Sequence, residues 1–144
     1  MVEETVATGK KQPVAALSVP SSGHKPLPLS NIDSSVEHRV SLNNGEMDRI
    51  LGGGLVEGSL VLIGGEPGIG KSTLSLQIPL HCPSLKTLYV TGEESARQVK
   101  LRAARIGGDD SNCMIYSETL MENIVSEARN IMPDLMIVDS VQTM

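Results

Sequence analysis

Gly65-Glu66-Pro67-Gly68-Ile69-Gly70-Lys71-Ser72 is the stretch that decides the fold, because it fits the pattern G-x-x-x-x-G-K-[ST]. This pattern describes a glycine-rich loop that wraps around phosphate groups. The pattern is weak alone, but residues 59–64 predict a buried strand before it and residues 71–78 predict a helix after it. A strand, a loop and a helix in this order predict a nucleotide-binding loop.

Each residue type in this loop suits a polyphosphate. Glycines let the backbone curl close to phosphate oxygens, and the start of the next helix adds unpaired N–H groups and partial positive charge. We expect Lys71 to reach the β- and γ-phosphates and assist catalysis, and the Ser72 hydroxyl to ligate Mg²⁺. The alternative is a glycine-rich turn beside a solvated lysine. The candidate nucleotide-binding residues are Gly65, Glu66, Pro67, Gly68, Ile69, Gly70, Lys71, Ser72 and Thr73.

A second candidate is the carboxylate of Asp139, which ends an apolar run that begins at Leu135. Nucleotide-hydrolysing folds place an aspartate beside the phosphate loop, where it holds the Mg²⁺ shell. An ordinary strand that ends in a loop has the same appearance. Because strands and helices alternate between the phosphate loop and this run, we expect Asp139 to be a metal-side residue.

A third candidate is the pair Glu93 and Glu94, which follows the predicted strand at residues 86–91. Ligands of parallel sheets bind beyond the carboxyl ends of the strands, and a glutamate there can activate the water that attacks a γ-phosphate. We take Glu93 as the catalytic candidate and Glu94 as its reserve. The alternative is compensation of the dipole of the next helix, which suits Glu94 better than Glu93.

Alternating strand and helix patterns predict an α/β fold with a parallel sheet flanked by helices. We expect Pro79 to end or kink the helix that follows the loop. Ser95 and Gln98 have the spacing of a capping box, and so do Thr119 and Glu122. The predicted strands are 59–64, 86–91, 113–116 and 134–139, and the predicted helices are 46–51, 71–78, 95–106 and 119–131.

Length and composition narrow the class of protein. The 144 residues fit one domain. Residues 1–38 are rich in proline and lack a sustained period, so they predict a linker with little fixed structure before a folded domain at 39–144. Without Phe or Trp, the core must consist of aliphatic residues and Met. That composition also removes the aromatic surfaces on which single-stranded bases usually stack.

Charge and cysteine usage exclude several classes. A net charge of −5 gives no overall field that attracts nucleic acid or an anionic membrane. Cys82 and Cys113 lie far apart and indicate neither a disulfide scaffold nor a zinc site. No signal core or membrane span is visible, so we expect a cytoplasmic protein without membrane contact. The basic residues of helix 95–106 favour a solvated face over DNA contact; they are Arg97, Lys100, Arg102 and Arg105.

Four motifs in order resemble one known family. They are LGGGLVEGSL at 51–60, the phosphate loop, YVTGEES at 89–95 and VDSVQTM at 138–144. Together they are similar to the bacterial RadA (Sms) family of DNA-repair ATPases, which are relatives of RecA. The resemblance covers about residues 25–144 and implies that residues 39–144 are a partial RecA-like ATPase domain.

The resemblance also implies a function. Members of this family are ATP-dependent, DNA-stimulated motors that process recombination intermediates by branch migration. The implied cofactors are ATP and Mg²⁺, with Lys71 and Ser72 on ATP·Mg²⁺, Asp139 as the metal-side acid and Glu93 as the water-activating acid. The implied partners are single-stranded or branched DNA, other recombination proteins, and further copies of the chain in a homo-oligomeric ring.

The sequence departs from the family at both ends. RadA proteins begin with a four-cysteine zinc finger, and no residues here supply a zinc site. They continue past the aspartate strand with a K-N-R-F-G motif and a protease-like domain. We therefore expect a core that is incomplete at the C-terminus, exposes apolar surface, and binds and hydrolyses ATP poorly alone.

Two other readings remain open at this point. One is a RecA-like ATP-binding regulatory or assembly module of the circadian-clock type, which shares the phosphate loop and paired glutamates. The other is an inactive truncated product, for which thermal unfolding would show no cooperative transition with or without Mg·ATP.

Overall fold

A three-stranded parallel sheet organises the computed structural model, which describes residues 25–35 and 37–144. The prediction of a linker at residues 1–38 lies mostly outside the described residues. The segment 25–35 contains one short 3₁₀ turn, Leu29–Asn31. In residues 37–144 the strands are β1 (Arg39–Val40), β2 (Leu55–Val56), β3 (Thr87–Thr91), β4 (Cys113–Ser117) and β5 (Leu135–Asp139), and the helices are α1 (Gly45–Ile50), α2 (Lys71–His81), α3 (Ala96–Ile106) and α4 (Met121–Ile131).

The sheet has the order β4-β3-β5, and both pairings are parallel. The register aligns Thr91, at the end of β3, with Ser117 on one side and Asp139 on the other. All five residues of β3 are buried, as expected for a strand covered on both faces. The three carboxyl ends therefore form one edge, and the predicted α/β fold with helices around a parallel sheet is confirmed.

Alternation along β3 divides the core into two layers. Tyr89 points to the face covered by α2 and α3, where it packs with Leu76 and Val99. Leu88 and Val90 point to the opposite face, where they pack against Ile124 of α4. Because side chains alternate with a period of two, the same rule places Ile137 of β5 beneath α2.

A two-stranded antiparallel sheet lies beside the C-terminal end of α2. Strands β1 and β2 pair antiparallel, and α1 lies between them along the chain. The side chain of Asn44 caps α1 by accepting a hydrogen bond from Met47 N at 3.2 Å. Leu42 from this region is buried with Ile78 and Cys82 of the α2 end.

The strand expected at residues 59–64 is absent, and that prediction was wrong. The segment forms no helix or strand, and Leu60 and Leu62 are 97% and 82% exposed. Apolar residues predicted a buried strand, but a strand also needs a partner for its N–H and C=O groups. Within residues 37–144 the sheet offers no strand that pairs with this segment.

The helix expected at residues 71–78 runs through Pro79 to His81, so the prediction that it ends there was wrong. Proline removes the N–H that would bond the Ser75 carbonyl, and the helix still closes with a hydrogen bond from Cys82 N to Pro79 O at 3.3 Å. Burial of Ile78 and Leu80 on either side offsets the missing bond.

The two predicted capping boxes have different outcomes. Ser95 and Gln98 form both reciprocal hydrogen bonds at the start of α3, so that prediction is confirmed. Thr119 and Glu122 do not form a box, because α4 begins at Met121. Glu118 acts instead: its carboxylate accepts hydrogen bonds from Thr119 N at 2.8 Å, Leu120 N at 2.9 Å and Asn123 Nδ2 at 2.8 Å.

Large apolar side chains remain on the surface, as expected from the sequence. In the part of the chain that the structure describes, no helix is both long and apolar enough to cross a membrane. Beyond the exposed segment 59–64, the exposed apolar residues include Met132 and Met136 beside the free edge of β5.

We predict that Glu118→Ala lowers the melting temperature more than Glu122→Ala at pH 7. The hydrogen bonds from Leu120, Asn123 and Thr119 lower the pKa of Glu118 below its ordinary value of 4.5. A lowered folded-state pKa stabilises the fold above the unfolded value, and this stabilisation is lost as the pH falls through the folded value.

Thermal melts of wild type and both variants from pH 7 to pH 4 test this role of Glu118 in the turn before α4. The gap between wild type and Glu118→Ala should be widest at pH 7 and narrow below pH 4.5. Equal losses for the two variants at pH 7 would show that Glu118 does not stabilise the turn before α4.

Candidate functional site

The first turn of α2 lies at the carboxyl edge of the sheet. After His81, five residues lead into Thr87, so the last turn of α2 is at the amino edge. Eleven helical residues span about 16 Å, and a five-residue strand spans about the same length. The contact of Leu76 with Tyr89 shows that α2 runs back over the sheet, which brings Lys71 to the edge where β3 and β5 end.

The backbone before α2 forms an open loop with unpaired donors. Gly68 and Gly70 have φ angles of 84° and 96°, a region that favours glycine. The first helical hydrogen bond runs from Leu74 N to Gly70 O at 2.9 Å. Among the described residues no acceptor meets the N–H groups of residues 71–73. Free N–H groups at a helix start favour an anion.

The ammonium of Lys71 is folded over this loop. Its Nζ donates to the carbonyl oxygen of Gly65 and, at 3.0 Å, to that of Glu66. A Cβ at Gly65 would lie 2.5 Å from Ile69 Cδ1 and 3.6 Å from Lys71 Cδ, so the loop is tightly wound there. The positive charge is therefore already held within the loop, and a phosphate oxygen can replace these carbonyls as its partner.

Asp139 lies at the same edge and on the same face as the start of α2. Alternation along β5 puts Leu135, Ile137 and Asp139 on the face that α2 covers. The half-buried carboxylate accepts a hydrogen bond from the Tyr89 hydroxyl at 2.7 Å through Oδ2. The predicted metal-side carboxylate and the predicted Ser72 ligand thus share one face and one edge of the sheet.

Glu93 and Glu94 have different surroundings. Glu94 Oε1 lies 2.7 Å from Arg102 Nη2, and their side chains are only 27% and 19% exposed. Glu93 is exposed, and no side chain in the described ranges pairs with it. Both backbone N–H groups point toward Thr91 Oγ1, at 3.4 Å and 3.1 Å. Glu94 is therefore held in an ion pair, and Glu93 is the carboxylate free to meet a ligand.

The basic face of α3 differs from the expectation. Arg102 is mostly covered and paired with Glu94, so the prediction that it is solvated was wrong. Its Nε and Nη2 atoms are buried without a hydrogen bond of good geometry, although Nη2 is within ion-pair distance of Glu94. Lys100 is exposed and pairs with Asp110. Arg102 thus contacts the loop after β3, whereas Lys100 contacts the loop before β4.

Tyr89 was missed by sequence reasoning. It is fully buried at the centre of β3, and burial, followed by its hydrogen bond to Asp139, raises the pKa of its hydroxyl. The available signal was a lone tyrosine inside a buried strand of a chain that contains no phenylalanine. A buried hydroxyl requires a partner, and the carboxylate two positions along the neighbouring strand provides it.

The oxygen donors suit magnesium held with a nucleotide. No group of three or more His, Cys, Asp or Glu side chains in the described ranges forms a protein-only metal site. Mg²⁺ needs none, since it keeps several waters and takes one or two protein ligands together with phosphate oxygens. Ser72 and Asp139 are the oxygen groups that could serve such a site, and the N–H groups of residues 71–73 could donate to phosphate oxygens.

Comparisons with known proteins identify relatives of this chain. A family model described as "ATPase: KaiC" matches residues 44–114. A Streptococcus pyogenes protein named DNA repair protein RadA is 48% identical over 130 residues, which cover 90% of this chain and 29% of the relative. Proteins of the same name match from Bacillus subtilis, at 47% over 146 residues with 99% and 32% covered, and from Listeria monocytogenes, at 46% over 121 residues with 83% and 26% covered.

These matches cover most of this chain but only part of each relative. The chain spans about three-tenths of the length of the curated relatives it matches. Over that part it is similar to them along nearly its whole length, and the family model covers the phosphate loop, β3 and α3. The similarity therefore includes every element that builds the loop and the paired glutamates.

We predict that Glu94→Gln destabilises the fold by about 1 kcal/mol, the upper end of the range for ion pairs that keep some exposure, because it removes the charge that pairs with Arg102. Glu93→Gln should stay within about 0.5 kcal/mol of wild type, as for an ordinary surface substitution. Urea denaturation at pH 7 measures both variants.

Arg102→Gln completes the test of the ion pair. If Glu94 and Arg102 stabilise the loop together, the double variant should lose less than the sum of the two single variants. Equal stability of Glu93→Gln and Glu94→Gln would contradict the division of roles between the two glutamates.

Proposed function

Since this chain is a homologue of proteins named RadA and has the fold of a RecA-like ATPase domain, we propose that it binds ATP·Mg²⁺ at residues 65–73 and is the nucleotide-binding part of a DNA repair ATPase. The observation that carries the proposal is that α2 begins with free N–H groups at residues 71–73 and runs back over the sheet from the edge where β5 ends in the Asp139 carboxylate. Anion donors and a hard oxygen ligand side by side suit a metal-bound triphosphate.

Each loop residue has a separate task in this proposal. Gly65, Gly68 and Gly70 let the backbone approach the β- and γ-phosphates, and Glu66, Pro67 and Ile69 complete the turn. Lys71 exchanges its two carbonyl partners for phosphate oxygens and spreads its charge over the γ-phosphoryl group. Thr73 adds a further contact in the first turn of α2.

Two side-chain oxygen ligands form the metal-binding part of the proposed site. Ser72 and Asp139 would hold Mg²⁺, which when bound neutralises the charge that develops on the β- and γ-phosphates. Ser72 lies in the first turn of α2 and Asp139 ends β5, so both positions are fixed by regular structure. Rigid support of this kind is what a metal ligand requires.

Glu93 is the proposed water-activating residue. It follows β3 at the carboxyl edge, is exposed and has no ion-pair partner among the described residues. Its backbone is held by Thr91 Oγ1 while its side chain stays free. Glu94 lacks that freedom because Arg102 holds it. A free carboxylate near the γ-phosphate can orient a water and accept its proton.

The names of the relatives extend the proposal from ATP binding to a wider function. The relatives are named DNA repair protein RadA, so DNA is the proposed partner, either single-stranded or branched. Branch migration of recombination intermediates, contact with other recombination proteins and a homo-oligomeric ring belong to the same proposal. The cytoplasm is the compartment in which such a protein would act.

A regulatory module of the circadian-clock type is the second candidate. The observation in its favour is the family model "ATPase: KaiC", which matches residues 44–114. The relatives named RadA match more of the chain, from 83% to 99%. We therefore favour the DNA repair function, and both candidates share the same nucleotide site.

We predict that Lys71→Ala weakens Mg·ATP binding by about tenfold or more, because it removes the charge that pairs with the phosphates. Lys100→Ala is the matched control, since Lys100 is an exposed lysine on α3 that pairs with Asp110. Calorimetric titration and the rise in melting temperature with added Mg·ATP measure the affinity.

The Mg·ATP affinities of the two variants decide whether the site is assigned correctly. Equal Mg·ATP affinity of Lys71→Ala and wild type would overturn the site at residues 65–73. Loss of affinity in Lys71→Ala with an unchanged circular dichroism spectrum, and retained affinity in Lys100→Ala, would support it.

We further predict that Glu93→Gln lowers phosphate release from ATP by about 10²–10⁴-fold while ATP affinity stays close to wild type. The amide keeps the size of the side chain but cannot accept the proton of water. Phosphate release under single-turnover conditions measures the rate. Wild-type turnover in Glu93→Gln, with loss in Glu94→Gln, would transfer the role to Glu94.

A further inference from the structure

Tyr89 joins the centre of the sheet to the candidate metal carboxylate. Its side chain is 0% exposed and packs with Leu76 and Val99. Phenylalanine would fill this packing site equally well. The hydroxyl adds one feature that packing does not need, namely a 2.7 Å hydrogen bond to Asp139 Oδ2.

The pairing register of β3 and β5 fixes the positions of the two residues that form this hydrogen bond. Tyr89 pairs with Ile137, and Asp139 lies two residues further along β5 on the same face. Such diagonal neighbours on adjacent strands are within reach of an aromatic side chain. Both ends of the hydrogen bond are therefore anchored in regular parallel strands, with few rotamers open to the buried ring.

The hydrogen bond occupies only one oxygen of the carboxylate. Within the described part of the chain, Asp139 Oδ1 has no hydrogen-bond donor. A carboxylate held at one oxygen presents the other in a defined direction. A tyrosine phenol carries its proton at neutral pH, so the Tyr89 hydroxyl is the donor and the Asp139 carboxylate the acceptor.

Resting on the proposed function, we propose that Tyr89 is a positioning residue for Mg·ATP: its hydroxyl fixes the Asp139 carboxylate so that the free oxygen faces the magnesium shell. Tyr89 touches neither nucleotide nor metal and acts only through Asp139. Partners of metal-binding carboxylates commonly set ligand orientation in this way, and their loss costs about 10–100-fold in metal affinity.

The chain contains a matched control for this role. Tyr116 lies on the neighbouring strand β4, and no hydrogen bond to its hydroxyl is present among the described residues. It packs on the opposite face of the sheet, beside Leu88 and Ile124. Tyr116→Phe therefore removes the same atom as Tyr89→Phe without affecting Asp139.

The test measures the Mg²⁺ dependence of ATP binding in wild type, Tyr89→Phe and Tyr116→Phe. We expect Tyr89→Phe to need about tenfold more Mg²⁺ for half-maximal binding. ATP binding in EDTA should be unchanged, because the loop contacts are intact. Tyr116→Phe should match wild type in both conditions.

Three results would overturn the proposal. Unchanged Mg²⁺ dependence in Tyr89→Phe would show that the hydroxyl does not position Asp139. Equal losses with Mg²⁺ and with EDTA would show a general structural role. Absence of Mg·ATP binding in wild type, or full binding in Lys71→Ala, would overturn the proposed function itself and this inference with it.

A second variant keeps the test independent of small losses in stability. Asp139→Asn removes the metal-side charge but preserves an oxygen that can accept the Tyr89 hydrogen bond. If Tyr89 acts through Asp139, the added Tyr89→Phe change should leave the Mg²⁺ dependence of Asp139→Asn unaltered. A further tenfold shift in the double variant would contradict the proposal.

Discussion

The structure depends on the burial of β3 between two parallel neighbours and two helical layers. All five of its residues are inaccessible, so every backbone group must pair with β4 or β5. This pairing fixes the register and thereby aligns the carboxyl ends of the three strands. The loop after β3 and Asp139 at the end of β5 lie at one edge as a consequence of that alignment, and the direction of α2 over the sheet brings its start to the same edge.

Much of this arrangement could be predicted from local pattern. Three of the four predicted sheet strands are present, because their apolar runs are short and bounded by turn residues. The helices at 46–51 and 95–106 were predictable from their caps, since Asn44 and the Ser95–Gln98 box are local signals. Local signals decide where an element begins, and the burial of its neighbours decides how far it extends.

The wrong predictions share one physical cause: a local sequence pattern does not specify which groups of the folded chain will pair or pack with it. Residues 59–64 have the apolar pattern of a strand, yet no strand in residues 37–144 pairs with them. Pro79 has the chemistry of a helix end, yet burial of its neighbours extends α2 past it. Glu118 replaces the predicted box because its carboxylate reaches three donors that only the folded turn brings together.

The site shows the same division between chemistry and surroundings. The residues proposed to bind phosphate and Mg²⁺, at 65–73 and at Asp139, were chosen from the residue types that these ligands require. The roles of Glu93 and Glu94 were not separable in sequence, since two adjacent carboxylates have the same intrinsic chemistry. Arg102, which lies two helical turns into α3, separates them by pairing with Glu94 alone. A tertiary contact therefore assigns different tasks to two identical side chains.

Tyr89 extends this argument to the core itself. A chain with two aromatic residues gains little packing from placing a hydroxyl at the centre of its sheet. The hydroxyl carries a desolvation cost that only a strong acceptor offsets, and Asp139 is such an acceptor. The same hydrogen bond therefore satisfies a buried polar group and orients a carboxylate at the site edge. Because both effects come from one atom, core stability and site geometry are coupled at this position.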